Sequence, residues 1–152
     1  MPKYYFRIPI FPRVRDEDED SENYDDYVLD TSLASNPSVL GLVADGWNSE
    51  GVHQYLDLTD GKNRGKTMGK GIIDSDAFVQ DNQLIVEIET KKKLTKKQVI
   101  NLTEEISGQC SDGWGEGFEQ QELYHDGYDM YISTWSYGPE GKTVYLPEFV
   151  RK

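Results

Sequence analysis

The chain has one cysteine, Cys110, among its 152 residues. A single thiol excludes an internal disulfide framework and any zinc site built from several thiolates. It fits a reducing compartment. Histidine is nearly as scarce. His53 and His125 stand on unrelated segments in no recognisable ligand spacing, so a hydrolytic or metal centre has little to draw on. No apolar run is long enough to cross a bilayer. Met1 to Phe11 lack the charged start, apolar stretch and small-residue cleavage site of a secretory signal, so the expected location is the cytoplasm. Basic residues are also few: 16 Lys and Arg stand against 28 Asp and Glu, for a net charge of −12. Such a chain is repelled by duplex nucleic acid and anionic membranes at long range and attracted to basic proteins. Neither direct duplex DNA binding nor membrane binding is expected.

The acidic residues are unevenly placed. Asp16, Glu17, Asp18, Glu19, Asp20, Glu22, Asp25, Asp26 and Asp30 follow one another with no base between them. A second block, from residue 98 to 148, holds ten acids and only Lys142. The stretch 16–26 has no apolar periodicity and is expected to be a mobile loop on a single domain spanning 1–152. Asp16, Asp18 and Asp20 have the spacing that opens a calcium loop. Ser21 then stands where that loop needs glycine, and Tyr27 where it needs a bidentate glutamate, so an EF-hand is excluded.

Hydrophobic periodicity predicts the elements. Tyr4, Phe6, Ile8 and Ile10 alternate as a strand, and Pro9 and Pro12 require it to lie at an edge or end early. Asn36 before Pro37 marks a short helix over about 37–44, ending near Asp45-Gly46. Val52, Leu56 and Leu58 suggest a strand, and the Gly- and Lys-rich stretch from Asp60 to Gly71 a basic loop. Two strands flank Asp81-Asn82 as a hairpin, with Leu84, Val86 and Ile88 on one face and Ile85, Glu87 and Glu89 on the other. Thr95 and Gln98 have capping-box spacing and open the main helix, about 95–107, with Gly108 as its stop. Lys96 and Lys97 at its start and Glu104 and Glu105 at its end oppose the macrodipole, each costing about 0.3–1 kcal/mol, so packing must hold this helix together. Strands at 118–124 and 128–137, joined through Asp126-Gly127, and a third at 142–146 complete a C-terminal meander. The expected fold is therefore α+β: a small antiparallel sheet, hairpin plus meander, packed with these two helices.

No motif carries chemistry outright. Cys110 follows a helix and precedes acids, both of which disfavour thiolate. The alternating glycines 113, 115 and 117 are flanked by Asp112, Glu116 and Glu119, which repel phosphate. Lys91, Lys92, Lys93, Lys96 and Lys97 read as a solvated connection, as do Lys62, Arg64, Lys66 and Lys70. No cofactor or metal is expected, and the chain reads as a non-enzyme. The enzymatic alternative is a dispersed site around His53, His125 and nearby carboxylates.

The segment SGQCSDGWGEGFEQ, Ser107 to Gln120, resembles one found in small, mostly uncharacterised proteins of phages and mobile elements. The resemblance implies an accessory protein working in a bacterial host cell. Such proteins include anti-CRISPR-type and antirestriction inhibitors. The expected function is then to bind a bacterial defence nuclease, a Cas9-type target above others, with acidic surface mimicking nucleic acid. An immunity or adaptor module for another basic protein is the alternative. The expected partner-binding residues are Asp16, Glu17, Asp18, Glu19, Asp20, Glu22, Asp25, Asp26, Asp112, Glu116, Glu119 and Glu122. Tyr131, Trp135 and Tyr137, which alternate onto one strand face, join them as aromatic anchors.

Overall fold

Period-two alternation and one tight turn build the first sheet. The computed structural model describes residues 1–15, 17–22, 24, 27–58, 71–111, 121–125, 128–133 and 143–152, with 11, 13–15, 27–29, 50, 55, 108–111, 121–125 and 128–133 by backbone alone. Strands β4 (Ile72–Gln80) and β5 (Gln83–Thr90) form the expected hairpin, paired from Gln80↔Gln83 to Ile72↔Thr90. Asp81 and Asn82 both take positive φ, 53° and 58°. This left-handed pair gives the turn the twist of the flanking strands, and Asp and Asn tolerate the region better than other non-glycine residues. Strand β1 (Lys3–Arg7) lies antiparallel beside β5, and the short β8 (Val144–Tyr145) closes the order β4-β5-β1-β8.

A second antiparallel sheet has the order β3-β2-β7-β6, made of β2 (Phe11–Arg15), β3 (Tyr27–Leu29), β6 (Gln121–His125) and β7 (Tyr128–Ser133). The α+β class is as expected, with antiparallel sheet and two helices. The strands divide differently: the C-terminal segments do not form one meander, because β8 joins β1 while β6 and β7 pair with the second sheet. Strand β1 ends before Pro9, as proline demands, yet it is central rather than an edge, because its own residues all carry N–H groups and can pair on both sides. Pro12 is tolerated inside β2 because β3 begins pairing only at Arg13; its carbonyl accepts the Asp30 amide at 2.8 Å.

Helix α1 (Pro37–Glu50) starts as read: the Asn36 side chain accepts from the Ser38 and Val39 amides, with Pro37 at the first position. It continues six residues past the expected end at Ala44. Val39, Leu40, Val43, Ala44 and Trp47 form one stripe at helical spacing, all buried, with Trp47 fully so. Burying an indole outweighs the roughly 1 kcal/mol that Gly46 costs inside a helix. The true stop is Gly51, whose φ of +62° is open to glycine without strain. Val52–Tyr55 is a 3-10 turn rather than a strand; Val52 and Leu56 are both buried, a four-residue spacing that a helical turn also satisfies. Helix α2 (Lys96–Ser111) carries the expected capping box: Gln98 N donates to Thr95 Oγ1 at 3.1 Å, and Thr95 N to Gln98 Oε1 at 2.9 Å. It runs through Gly108 and includes Cys110 in its last turn, a single interior glycine being too weak a breaker to end a helix by itself.

Both helices contribute to the core, which Phe6, Ile8, Leu40, Trp47, Leu56, Leu84, Val86, Ile88, Leu102 and Ile106 share. Strand β4 would leave a free edge. Asn48 on α1 covers it, donating from Nδ2 to Ala77 O at 3.0 Å while its Oδ1 accepts the Ala77 amide at 2.9 Å. One side-chain amide thus replaces a neighbouring strand where the sheet would otherwise offer itself to another chain. Substituting Asn48 with Ala is expected to lower stability by about 1–3 kcal/mol through two lost hydrogen bonds to a buried residue. Urea unfolding should show the loss as a lower midpoint with an unchanged slope, and analytical ultracentrifugation should show increased self-association through the opened edge.

Candidate acidic binding surface

The first acidic block is the connection between β2 and β3. Glu17, Asp18, Glu19, Asp20 and Glu22 are exposed. The described part of this connection is locally ordered rather than featureless. The Ser21 amide donates to Asp18 O at 3.0 Å, the Tyr24 amide to Ser21 O at 3.2 Å, and the Asp20 amide to Asp18 Oδ1 at 3.0 Å. Aspartate side chains favour such turns because they can bond their own backbone two residues on. Asp16, Asp25 and Asp26 lie outside the described residues, as do Asp112, Glu116, Glu119, Trp135 and Tyr137. Glu122 and Tyr131 are placed by their backbones as direct cross-strand partners on β6 and β7, and Tyr131 stands opposite Arg13 on β2.

Register relates the first acidic block to the β6–β7 turn. Arg15 pairs with Tyr27 where the first block leaves the sheet, and His125 pairs with Tyr128 where β6 turns into β7. Because Val14 is opposite Met130, these two connections lie at the same end of one sheet. Sequence alone leaves this relation open, since nothing local links residue 15 to residue 128.

A second concentration of carboxylates lies on the first sheet, where rows of the register line up Lys3, Glu89 and Asp74, then Tyr5, Glu87 and Asp76. Sequence reasoning places Glu87 on the face opposite Leu84, Val86 and Ile88, and that holds. The face is not open, however. Residues 146–152 lie across it. Phe149 packs on Tyr5 with ring centroids 4.9 Å apart and on Phe78 at 6.1 Å. The Arg151 guanidinium sits 3.9 Å from the Phe78 ring centroid, 2.8 Å from Asp76 and 3.1 Å from Glu87. Lys152 reaches Gln80 through its amide and Asp81 through its ammonium. Ile85 and Glu87 are consequently buried on the outer side, Glu87 at 7% exposure. Burial by itself would raise the Glu87 carboxyl. Hydrogen bonds from Arg151 and Tyr5, with the charges of Lys3 and Arg151, prevail and hold it below the usual carboxylate range. Burial, and then the Glu87 carboxylate it bonds, push the Tyr5 hydroxyl up.

Around the β4 edge the same carboxylates border a polar cleft of about 510 Å³ that also takes in Asn48, His53 and Ser75. Ser75 Oγ is 2.9 Å from His53 Nδ1, and the buried Trp47 Nε1 donates to the same oxygen at 3.3 Å. A serine hydroxyl has one proton. Its two lone pairs let it accept from tryptophan and still bond His53 Nδ1 in either ring tautomer. The result is a satisfied network tying α1 and its following turn to β4. His125 is on β6 and is placed by backbone alone. Among the described residues no group of three or more His, Cys, Asp or Glu is arranged to hold a metal ion, and no helix is long and apolar enough to cross a membrane. No protein-family model, curated protein or solved structure matches this chain.

The Arg151 contacts were not legible in sequence. Arg151 and Glu87 are 64 positions apart, and only the aromatic-then-basic run Phe149 to Lys152 hinted at a docked segment. The depressed Glu87 group makes a pH test. A carboxyl held low in the fold and ordinary in the unfolded chain contributes stability above the ordinary range and loses it as pH falls through the folded value. Wild-type stability is therefore expected to fall more steeply than that of Glu87→Gln below about pH 5, so the gap between them narrows with acid. Chemical denaturation at stepped pH measures that convergence.

Proposed function

We propose that this protein is a non-enzymatic inhibitor of a phage or mobile element that binds a bacterial defence nuclease, of the Cas9 type above others, presenting acidic surface in place of nucleic acid. The observation that carries this reading is the exposed run of carboxylates in the connection between β2 and β3. The exposed carboxylates Glu17, Asp18, Glu19, Asp20 and Glu22 there belong to a chain of net charge −12. Duplex DNA carries one negative charge per roughly 1.7 Å of axis, and nucleases meet it with basic grooves. A row of carboxylates at an end of a sheet is attracted to such a groove and competes with the phosphates. Charge steers encounter more than it supplies affinity, so aromatic side chains must add desolvated contacts, and Tyr131, Trp135 and Tyr137 are the proposed anchors. The resemblance of Ser107 to Gln120 to segments of mobile-element proteins supports the same setting.

The test is to incubate the protein with a Cas9–guide complex and follow target DNA binding and cleavage at low and moderate salt. Competition at low salt is expected, weakening as the Debye length shrinks from about 30 Å at 0.01 M to about 8 Å at 0.15 M. Replacing Glu17, Glu19 and Glu22 with Gln, and Asp18 and Asp20 with Asn, should slow association on the order of tenfold. Unchanged DNA binding and cleavage across that salt range would sink the Cas9 form of the proposal.

A further inference from the structure

We infer that the outer face of the first sheet is a docking groove for an extended segment of a basic protein, one with an aromatic residue two positions before an arginine. Residues 146–152 of this chain occupy the groove as a tethered stand-in. The groove is separate from the acid run between β2 and β3, and the inference does not rest on the inhibitor reading.

The way the segment is held carries the inference. The Leu146 amide donates to Tyr5 O at 2.9 Å, and Pro147 has no N–H with which to continue that ladder. The chain then crosses the face, and among the described residues it makes no further main-chain hydrogen bond to a strand. The Gln80 side chain holds its backbone instead. Gln80 Nε2 donates to Val150 O at 3.0 Å, and Gln80 Oε1 accepts the Lys152 amide at 3.1 Å. Such a clasp is indifferent to side-chain identity. The side chains meet separate surfaces. Phe149 rests on Tyr5 and Phe78. Arg151 lies over the same Phe78 ring and bonds Asp76 and Glu87. A clasp for the backbone, an aromatic platform and a pair of carboxylates are the parts from which peptide-recognition sites are built.

The occupant is held by contacts that a competitor can remake. Pro147, Glu148, Val150, Arg151 and Lys152 are exposed, Phe149 is half-buried, and no residue of the segment belongs to the core cluster. The Arg151 and Asp76 side chains remain 38% and 41% exposed, where an ion pair contributes at most about 1 kcal/mol. The groove selects its partner by charge and shape. Asp76, Asp81 and Glu87 favour a cationic segment, and Tyr5 and Phe78 favour an aromatic side chain beside the cation. A small organic cation lacks the main chain that Gln80 grips. Bare, the face would show Tyr5, Phe78 and Ile85 to water, so a tethered segment keeps it covered until a free one takes its place.

The probe is a capped, fluorophore-labelled peptide of sequence LPEFVRK, that of residues 146–152. It is titrated by fluorescence anisotropy into the full chain and into a full chain carrying Phe149→Ser and Arg151→Ser, with the folding of each checked by circular dichroism. In the wild type the tethered segment competes at an effective concentration on the order of 1 mM. The double variant is therefore expected to bind the peptide about tenfold tighter or more. The same peptide with alanine for its Phe and Arg should bind the variant about tenfold more weakly, since the aromatic and the cation are the anchors. Absence of saturable binding to the folded variant overturns the proposal. Equal affinity in variant and wild type does so too, as does equal affinity for the alanine peptide. A wild type that dimerises by exchanging residues 146–152, seen by analytical ultracentrifugation, while the variant binds no peptide, overturns it in favour of a second copy as occupant. Should the double variant not fold, Arg151→Ala alone is held to the same outcomes.

Discussion

The structure depends on strand β5 being buried on both sides. Leu84, Val86 and Ile88 face the core that α1 and α2 share, while Ile85 and Glu87 face the segment 146–152. A hairpin alone is marginal in water, and a sheet with one naked apolar face is scarcely better. Here β1 and β8 extend the hairpin on one side and Asn48 closes the opposite edge. Every feature near the acid-rich cleft follows from that arrangement. Ser75 meets Trp47 and His53 because α1 is packed on the inner face, and Asp76 meets Arg151 because 146–152 is packed on the outer one.

Charge is handled in two distinct ways in one chain. On the first sheet the carboxylates are compensated: Glu87 by Arg151, Lys3 and Tyr5, and Glu89 by Lys3. Compensation is required there because Glu87 is buried, and an uncompensated buried carboxylate would be several kcal/mol unfavourable. In the connection from β2 to β3 the carboxylates are exposed and need no partner for the fold. A run of exposed like charges gains nothing in stability from its own repulsion. That contrast is why the acid run, and not the acid-lined cleft, is the part of the surface proposed to meet a nuclease partner.

Legibility followed the range of the interactions. The turn at Asp81-Asn82, the Asn36-Pro37 start and the Thr95–Gln98 box were readable because each is decided by residues within three or four positions. The length of α1 was misread because Gly46 is a local signal for a stop, whereas the burial of Trp47 that overrides it depends on the sheet beneath. Val52 and Leu56 fitted a strand and a helical turn equally well, and only packing chose between them. Of the candidate surface, the exposure of Glu17, Asp18, Glu19, Asp20 and Glu22 was readable from the lack of any apolar neighbour.

The sequence by itself determined the charge, the α+β class, the caps, the hairpin turn and which residues of β5 share a face. All of these rest on composition or on contacts close along the chain, where alternation and capping chemistry leave few choices. Only the tertiary structure decided that β8 joins β1 while β7, with β6 beside it, joins β2, that residues 146–152 cover Glu87, and that the β2–β3 connection and the β6–β7 turn share one end of a sheet. The physical reason is that strand partners are selected by the total burial they achieve together. Backbone hydrogen bonds are alike for every strand and carry no address, so pairings across many tens of residues are settled by packing of the whole chain.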